Sequence, residues 1–213
     1  QDSSGGGSRR AFDWRAHLAM ARLDYWFKNV FVVPGTVVAL GTVDTVDWAA
    51  LAWRAAIGLL AICLVASSNY TLNEILDAPT DRFHPAKRER PIPSGRVRPP
   101  LAWAQWALLF AAGIALGLRV SMPFTASLVA LWLMACAYNV PPVRTKDQPY
   151  LDVLSEAINN PIRMVAGWLL VTSDTMAPAS LLLSYWMIGC YFMALKRYAE
   201  LGSLGDRQRA AAY

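Results

Sequence analysis

The sequence predicts an all-α integral membrane protein with about six transmembrane helices. Two observations predict this fold class. Of the 213 residues, 55% are hydrophobic and only 16% are charged, and the apolar residues form long blocks instead of alternating with polar ones. Such blocks are typical of membrane-spanning helices, which need roughly 20 apolar residues to cross a hydrocarbon core of about 30 Å.

Six blocks are long enough, or nearly long enough, to cross the membrane. They are residues 28–40, 48–70, 101–118, 122–138, 151–172 and 178–195. The first block is the weakest because Pro34 and Gly35 interrupt it, and Ser67, Ser68 and Asn69 make the end of the second more polar.

The positive charges predict the orientation of these spans. If the amino terminus is cytoplasmic and the spans alternate, 17 of the 20 Lys and Arg residues lie on one side, and the opposite connections hold one. This asymmetry follows the positive-inside rule, so the net charge needs no nucleic acid partner to explain it. We expect an integral protein of the plasma membrane, with the loops at 71–100 and 139–150 facing the cytoplasm.

The two ends of the chain differ from the apolar middle. Residues 1–10 are rich in Ser and Gly, and the chain does not begin with Met. We expect residues 1–12 to form a flexible arm and residues 13–213 to form the transmembrane domain. Because the last residues carry no terminating signal, we also expect the domain to continue past Tyr213.

The clearest chemical pattern lies between the second and third spans. In a helix, Asn73, Asp77 and Asp81 fall at i, i+4 and i+8 and share one face. Their oxygens suit Mg²⁺, which keeps some waters and takes other ligands from substrate phosphates. The pattern predicts a metal-bridged polyphosphate site. The basic loop that follows supplies cations for the phosphates: Lys87, Arg88 and Arg90.

The fifth span is the most polar, with ionisable and amide residues at three- and four-residue spacing: Asp152, Glu156, Asn159, Asn160 and Arg163. Charged groups at membrane depth are costly and usually face a bundle interior or a water-filled cavity. We therefore expect one face of this helix to line a polar cavity. The alternative is an internal salt bridge, from Glu156 to Arg163 across two turns or from Asp152 to a neighbouring helix.

Further candidate residues lie at the predicted cytoplasmic edge. Arg144 and Lys146 follow a Pro-Pro step that fixes their loop, and they could hold a phosphate or simply set the topology. Glu200 stands four residues after Lys196, so the two share a helix face at the end of the sixth span. The other candidates at this edge are Lys28, Asn29, Arg197 and Tyr198.

Together these residues resemble the UbiA superfamily of intramembrane transferases. The match rests on Asn73, Asp77 and Asp81 and on the run from Lys87 to Gly95 that follows. The resemblance implies a UbiA-like helical bundle around a central cavity that opens to lipid. It implies nine helices, of which this chain covers about the first six. It also implies Mg²⁺ as the cofactor that binds a diphosphate.

One departure points to a branch of the superfamily. Most members carry a second aspartate-rich motif after the sixth helix, whereas this chain has the run from Lys196 to Leu201. That run and the segment from Trp26 to Val30 are similar to the decaprenyl-phosphate phosphoribosyltransferase branch. The similarity implies transfer of 5-phosphoribose from phosphoribosyl diphosphate to a polyprenyl phosphate.

The resemblance also implies roles for the candidate residues. Asn73, Asp77 and Asp81 would hold the metal, and Glu200 would be a metal or ribose ligand. The catalytic set would be Asp77, Asp81, Lys87 and Arg90. Substrate-binding residues would be Lys28, Asn29, Arg88, Arg144, Lys146, Asn159, Arg163, Lys196, Arg197, Tyr198 and Glu200.

Two other functions are compatible with intramembrane acids. The first is a prenyltransferase that moves a polyprenyl chain from its diphosphate to an aromatic or lipid acceptor. The second is an ion-coupled transporter. Transporters usually place their sites near the membrane midplane between repeated halves, whereas these motifs cluster at one interface and the sequence has no internal repeat.

Overall fold

The computed structural model describes residues 12–202, and every regular element in that range is helical. The predicted all-α fold class is confirmed. Apart from Phe12, the predicted flexible arm lies outside the described residues. The α-helices are α1 (Trp14–Ala21), α2 (Val33–Leu40), α3 (Trp48–Asp81), α4 (Pro99–Val120), α5 (Met122–Asn139), α6 (Leu151–Ala157), α7 (Asn159–Val171) and α8 (Ala179–Gly202). Short 3-10 helices cover Leu23–Val32, Lys87–Glu89 and Thr145–Asp147.

Four helices are long and apolar enough to cross a membrane: α3, α4, α5 and most of α8. They correspond to four of the six predicted spans. The first predicted span instead consists of the 3-10 helix Leu23–Val32 followed by α2. Pro34 lies in the first turn of α2, where a missing N–H leaves no helical hydrogen bond unmade, so it begins this helix instead of interrupting it.

The fifth predicted span is also divided, into α6 and α7, with the junction at Ile158. Pro161 explains the division. Proline has no N–H to donate, and its ring collides with the carbonyl group four residues earlier, which here belongs to Ala157. The helix is therefore interrupted at Ile158, directly before Asn159, which is one of the predicted cavity residues.

Helix α3 is longer than the span predicted from hydropathy. Asp47 begins it by accepting hydrogen bonds from the backbone N–H groups of Ala49 and Ala50 at 3.0 Å. Its 34 residues rise about 50 Å, whereas the hydrocarbon core is about 30 Å thick. The last turns of α3 therefore carry Asn73 and Asp81 beyond the apolar part on one continuous helix.

The main core lies where α3, α5 and α7 meet, and the 3-10 helix Leu23–Val32 contributes its last residue. Its fully packed members are apolar: Val32, Ala61, Ile62, Val65, Phe124, Leu128, Leu131, Ala166, Leu169 and Leu170. Beside this core, α2 and α7 approach each other at Gly35 and Gly167. A Cβ atom on either glycine would collide with the backbone of the opposite segment, so only glycine permits this contact.

A second, smaller core forms at the other end of α3 from Ala16, Met20, Ala78, Ile92, Val97 and Ala102. It packs the loop after α3 against α1 and the start of α4. The Glu74 carboxylate strengthens this contact because it accepts a hydrogen bond from the Ile92 N–H at 3.0 Å. The loop that carries the predicted phosphate-binding cations is thereby tied to the helix that carries the acids.

Candidate active site

Asp77 lies in a cluster of polar groups from three parts of the chain. The Lys146 ammonium lies 2.6 Å from Asp77 Oδ1, 2.9 Å from Asn139 Oδ1 and 3.2 Å from Asn73 Oδ1. The Arg144 guanidinium donates to the same Asp77 oxygen at 3.1 Å. Three side-chain oxygens of α3 and α5 therefore converge on one cationic group from the loop between α5 and α6.

Lys146 is held in a largely dry position, with its side chain only 11% exposed. Burial lowers the pKa of Lys146 from its ordinary value because it disfavours the charged form, while the hydrogen bond and charge of Asp77 oppose this effect. The three oxygens thus compensate for the water that the ammonium has lost.

Asp81, one turn further along α3, binds a different set of cations. Its carboxylate accepts from Arg90 at 2.7 Å and lies 3.8 Å from the Lys87 ammonium. Its side chain is 5% exposed. Arg88, also predicted to bind phosphate, is instead exposed and pairs with Glu89 at 3.4 Å. In this arrangement the loop after α3 brings two of its three predicted cations to the acids.

The oxygens around Lys146 have the chemistry of a hard-cation site. Carboxylate and amide oxygens suit Mg²⁺, and they already converge on one positive centre. Between residues 12 and 202, no group of three or more His, Cys, Asp and Glu side chains is arranged to hold a metal. The predicted ligand set, Asn73, Asp77 and Asp81, has only two carboxylates, and they face different cations. The donor types fit a divalent ion that keeps several of its waters.

A polar cavity of about 240 Å³ lies next to Asn73, between the 3-10 helix Leu23–Val32, α3, α5, the α6–α7 junction and α8. Asn159, a predicted site residue, lines it. The charged side chains of its lining are five cations and one carboxylate: Arg22, Lys28, Arg163, Lys196, Arg197 and Glu156. Positive charge is therefore in excess, and the cavity is suited to an anion.

Asp152 does not line this cavity but fixes one of its cations. Its carboxylate accepts two hydrogen bonds from Arg197, at 2.6 and 3.0 Å, and one from the Tyr138 hydroxyl at 2.6 Å. The ion pair between Asp152 and Arg197 of α8 is the salt bridge to a neighbouring helix that the sequence analysis gave as an alternative to cavity lining. Arg197 also donates to Glu200 at 2.6 Å, and Lys196 lies 3.8 Å from the same residue.

The amino-terminal side of the cavity is built on the 3-10 helix. Arg163 donates to the Asn29 amide oxygen at 3.1 Å, and this contact connects α7 to the predicted Lys28–Asn29 pair. The Lys28 ammonium and the Arg22 guanidinium lie over the Tyr25 ring, at 4.3 and 4.1 Å from its centre. Both cations are thus held at the cavity by an aromatic face.

Sequence reasoning missed several site residues. Asn69 lines the cavity, and its position four residues before Asn73 extends the spacing of the acidic motif, which is a signal that could have identified it. Asn139 stands two residues before the Pro-Pro step at Pro141, which is a second such signal. Arg22 and Tyr25 have no such pattern. Tyr198, which was predicted to bind substrate, is 76% exposed and lies outside the cavity lining.

A second cavity of about 240 Å³ adjoins the first and shares Lys28, Glu156, Arg163 and Lys196 with it. Its further lining is mainly apolar and includes residues of the 3-10 helix and α8: Phe31, Tyr185, Ile188 and Phe192. A charged chamber therefore continues into a hydrophobic one, an arrangement that suits a molecule with an anionic head and an apolar chain.

Comparisons with known proteins agree with this architecture. The profile of the UbiA prenyltransferase family matches residues 29–210. Decaprenyl-phosphate phosphoribosyltransferase of Mycolicibacterium smegmatis is 32% identical over 192 residues, which cover 87% of this chain and 56% of that protein. Protoheme IX farnesyltransferase of Korarchaeum cryptofilum is 32% identical over 108 residues, 51% of this chain and 36% of that protein.

Solved structures share the fold. A UbiA homologue of Archaeoglobus fulgidus bound to DMAPP and Mg²⁺ superimposes with a TM-score of 0.69 at 20% identity, covering 83% of this chain and 61% of that one. The chain thus spans less than two thirds of the length of these relatives. With its apolar helices it is an integral membrane protein. The match over most of its length shows that the chain belongs to the UbiA prenyltransferase family.

Proposed function

We propose that the protein moves 5-phosphoribose from phosphoribosyl diphosphate to a polyprenyl phosphate, with diphosphate as the leaving group and Mg²⁺ as cofactor. We further propose that it acts in the plasma membrane with its active-site loops in the cytoplasm. The observation that carries this proposal is the charge of the polar cavity, where five cations surround one carboxylate.

Counting phosphate positions favours this reaction. Phosphoribosyl diphosphate and a lipid phosphate together carry phosphate groups at three places, whereas a prenyl diphosphate with an uncharged acceptor carries one cluster. The cavity cations Lys28, Lys196 and Arg197 are more than one cluster needs, and they come in addition to the cations at the end of α3. A lipid phosphate is already anionic at neutral pH, so the attacking oxygen needs little help from a general base.

The residues at the end of α3 would hold the metal and the diphosphate. Asn73, Asp77 and Asp81 supply oxygens of the type that Mg²⁺ prefers, and Lys146 now occupies part of this set. When bound, the ion would neutralise charge on the departing diphosphate. Arg90 and the other loop cations that pair with the acids, Lys87, Arg144 and Lys146, would turn to the phosphate oxygens.

Two further observations support parts of this proposal. The apolar cavity beside α8 offers room for a polyprenyl chain next to the charged chamber. The Archaeoglobus fulgidus homologue has been solved with Mg²⁺ and with Cd²⁺, which favours a divalent ion in this fold.

The second candidate is a prenyltransferase that moves a polyprenyl chain from its diphosphate to an aromatic or lipid acceptor. It is favoured by the DMAPP and GPP complexes of the Archaeoglobus fulgidus homologue and by the similarity to a farnesyltransferase. This reaction would use the acids of α3 in the same way. It leaves the surplus cations of the polar cavity without a ligand.

A donor assay separates the two reactions. The purified protein in detergent is supplied with Mg²⁺ and a polyprenyl phosphate, together with phosphoribosyl diphosphate, and release of diphosphate and formation of the lipid product are measured. Farnesyl and geranylgeranyl diphosphate with an aromatic acceptor are tested in parallel. We expect turnover with phosphoribosyl diphosphate. Turnover with the prenyl diphosphates alone would replace the proposal by the prenyltransferase.

A further inference from the structure

Two amide oxygens beside the polar cavity lack a hydrogen-bond donor. Asn69 on α3 and Asn159 at the α6–α7 junction both line the cavity. Within residues 12–202, the Oδ1 atom of each is buried and has no hydrogen-bond partner. Buried acceptors without a donor are uncommon and destabilising in folded proteins. These two atoms therefore point to a ligand group that donates hydrogen bonds.

The contacts of the amide nitrogens establish that the free atoms are acceptors. Asn159 Nδ2 donates to the Glu156 backbone oxygen at 3.1 Å and to its carboxylate at 3.3 Å. Asn69 Nδ2 donates to the Leu131 carbonyl at 3.3 Å. Turning either amide over would place oxygen against oxygen, so the nitrogens are held and the oxygens remain free.

The chemistry of the proposed substrates decides which group can satisfy these acceptors. Phosphate oxygens are themselves acceptors, and they are matched by the cavity cations. A prenyl chain has no donor. The ribose of phosphoribosyl diphosphate has two hydroxyl groups that can each donate one hydrogen bond. Acceptors set among cations are therefore suited to a sugar that carries phosphates.

We propose that Asn69 and Asn159 accept hydrogen bonds from the ribose hydroxyls and so select a phosphorylated sugar over a prenyl diphosphate as donor. This inference rests on the proposed function and adds the residues that determine its donor specificity. A site built to bind a hydroxyl discriminates against analogues that lack it, because the buried acceptor is then left unpaired.

The test compares the binding of ligands with and without the ribose hydroxyl groups. Affinities for phosphoribosyl diphosphate, for its 2-deoxy and 3-deoxy analogues, and for inorganic diphosphate are measured by calorimetry on the wild-type protein, Asn69→Leu and Asn159→Ala. The control is Thr71→Val, because the Thr71 hydroxyl is buried on α3, donates to the Ser67 carbonyl of the same helix, and does not line the polar cavity. Melting temperatures establish that each variant is folded.

We expect each asparagine variant to bind phosphoribosyl diphosphate about tenfold more weakly and inorganic diphosphate as the wild type does. Each variant should also lose the wild-type preference for the sugar over one of its deoxy analogues. Thr71→Val should match the wild type with every ligand.

Two outcomes overturn the inference. One is unchanged affinity for phosphoribosyl diphosphate in both variants, and the other is an equal loss for the sugar and for inorganic diphosphate. If the wild type transfers phosphoribose and the variants keep the preference for hydroxyls, this inference alone fails. If the wild type does not transfer phosphoribose at all, the proposed function fails first.

Discussion

The end of α3 and the polar cavity differ in how their charged side chains are arranged. At the end of α3, two carboxylates, Asp77 and Asp81, are paired with four cations of the chain: Arg144, Lys146, Lys87 and Arg90. In the adjoining cavity, five cations face one carboxylate, Glu156. Two of the cavity cations, Lys196 and Arg197, pair with acids outside the lining, but the lining itself holds more cations than carboxylates. An anion would therefore meet an excess of positive charge in the cavity, whereas a metal or phosphate at the end of α3 would have to replace a partner in an existing ion pair.

On the proposed function, the two regions would therefore bind different groups of the substrates. Breaking a buried ion pair is costly unless a new partner of equal charge arrives at once. A metal ion and a diphosphate that bound together would meet this requirement, because Asp77 would exchange Lys146 for the ion and the Lys146 ammonium would pair with the phosphates. The cavity, with its surplus of cations, would hold the phosphates that are not in the leaving group.

The largest expected effect comes from removing the acid at the centre of the first region. We predict that Asp77→Ala lowers the Mg²⁺-dependent kcat/KM by at least about a hundredfold while the protein stays folded in detergent, since the charge of the departing diphosphate is then poorly compensated. Asp81→Ala should act in the same direction. The measurement is diphosphate release over a range of Mg²⁺ concentrations.

Asp147→Ala is the matched control for this prediction. Asp147 is exposed and pairs with Arg144 at 2.6 Å, but it lies outside the oxygens that surround Lys146. It should keep most of the activity. Near wild-type turnover in Asp77→Ala would remove the acids of α3 from the metal site.

The next effect concerns the surplus cations of the cavity. We predict that Lys196→Ala and Arg197→Ala each lower kcat/KM by tenfold or more, about 1.4 kcal/mol of transition-state binding, because charge-assisted hydrogen bonds to a phosphate are of this order. Steady-state kinetics with phosphoribosyl diphosphate measure the loss. Full activity in both variants would identify these cations as topology anchors and favour the prenyltransferase.

A smaller effect is expected from the residue that positions Arg197. Asp152→Asn keeps the size of the side chain but removes the charge that holds Arg197 at 2.6 Å. We predict a loss of about threefold to tenfold in kcat/KM, mainly through a higher KM, because Arg197 remains present but is less well oriented. A loss larger than that of Arg197→Ala would show that Asp152 itself contacts the substrate.

The last prediction should leave activity unchanged and tests whether both regions open to the cytoplasm. A cysteine in place of Ser94, in the exposed loop after α3, should react with a membrane-impermeant thiol reagent from the cytoplasmic side only. The measurement is labelling of inside-out and right-side-out vesicles, with Cys63, Cys136 and Cys190 accounted for in the parent protein. Labelling from the outer face would reverse the proposed orientation.

Hydropathy was sufficient to predict four long helices, because each is a continuous apolar block. It could not predict the two divided spans. The segment Leu23–Val32 forms a 3-10 helix that packs against α7, and hydropathy does not distinguish this form from an α-helix. The junction at Ile158 did have a local signal in Pro161, but apolar content alone treats the whole segment as one span.

In the candidate site, too, local patterns could be predicted from the sequence and long-range contacts could not. The spacing of Asn73, Asp77 and Asp81 predicted their helix because i, i+4 neighbours are a local property. That Lys146 would reach Asp77 could not be predicted, since 69 residues separate them and only the fold brings them together. Arg88 and Arg90 belong to one basic run, yet Arg90 pairs with Asp81 and Arg88 with Glu89, a difference that the composition of the run does not predict.

Gly35 and Gly167 determine how closely α7 packs against α2 and the 3-10 helix before it, because each glycine faces the backbone of the opposite segment. Val32, at the end of the segment that carries Lys28, touches Gly167 directly, and Arg163 lies one turn before this glycine on α7. A single methyl group at Gly167 would move the two walls apart without altering any charged atom. The distance between Lys28 on one segment and Arg163 on the other therefore depends on two positions without a side chain, each of which faces a backbone carbonyl group. Tuning of substrate choice can accordingly arise at positions that no ligand touches.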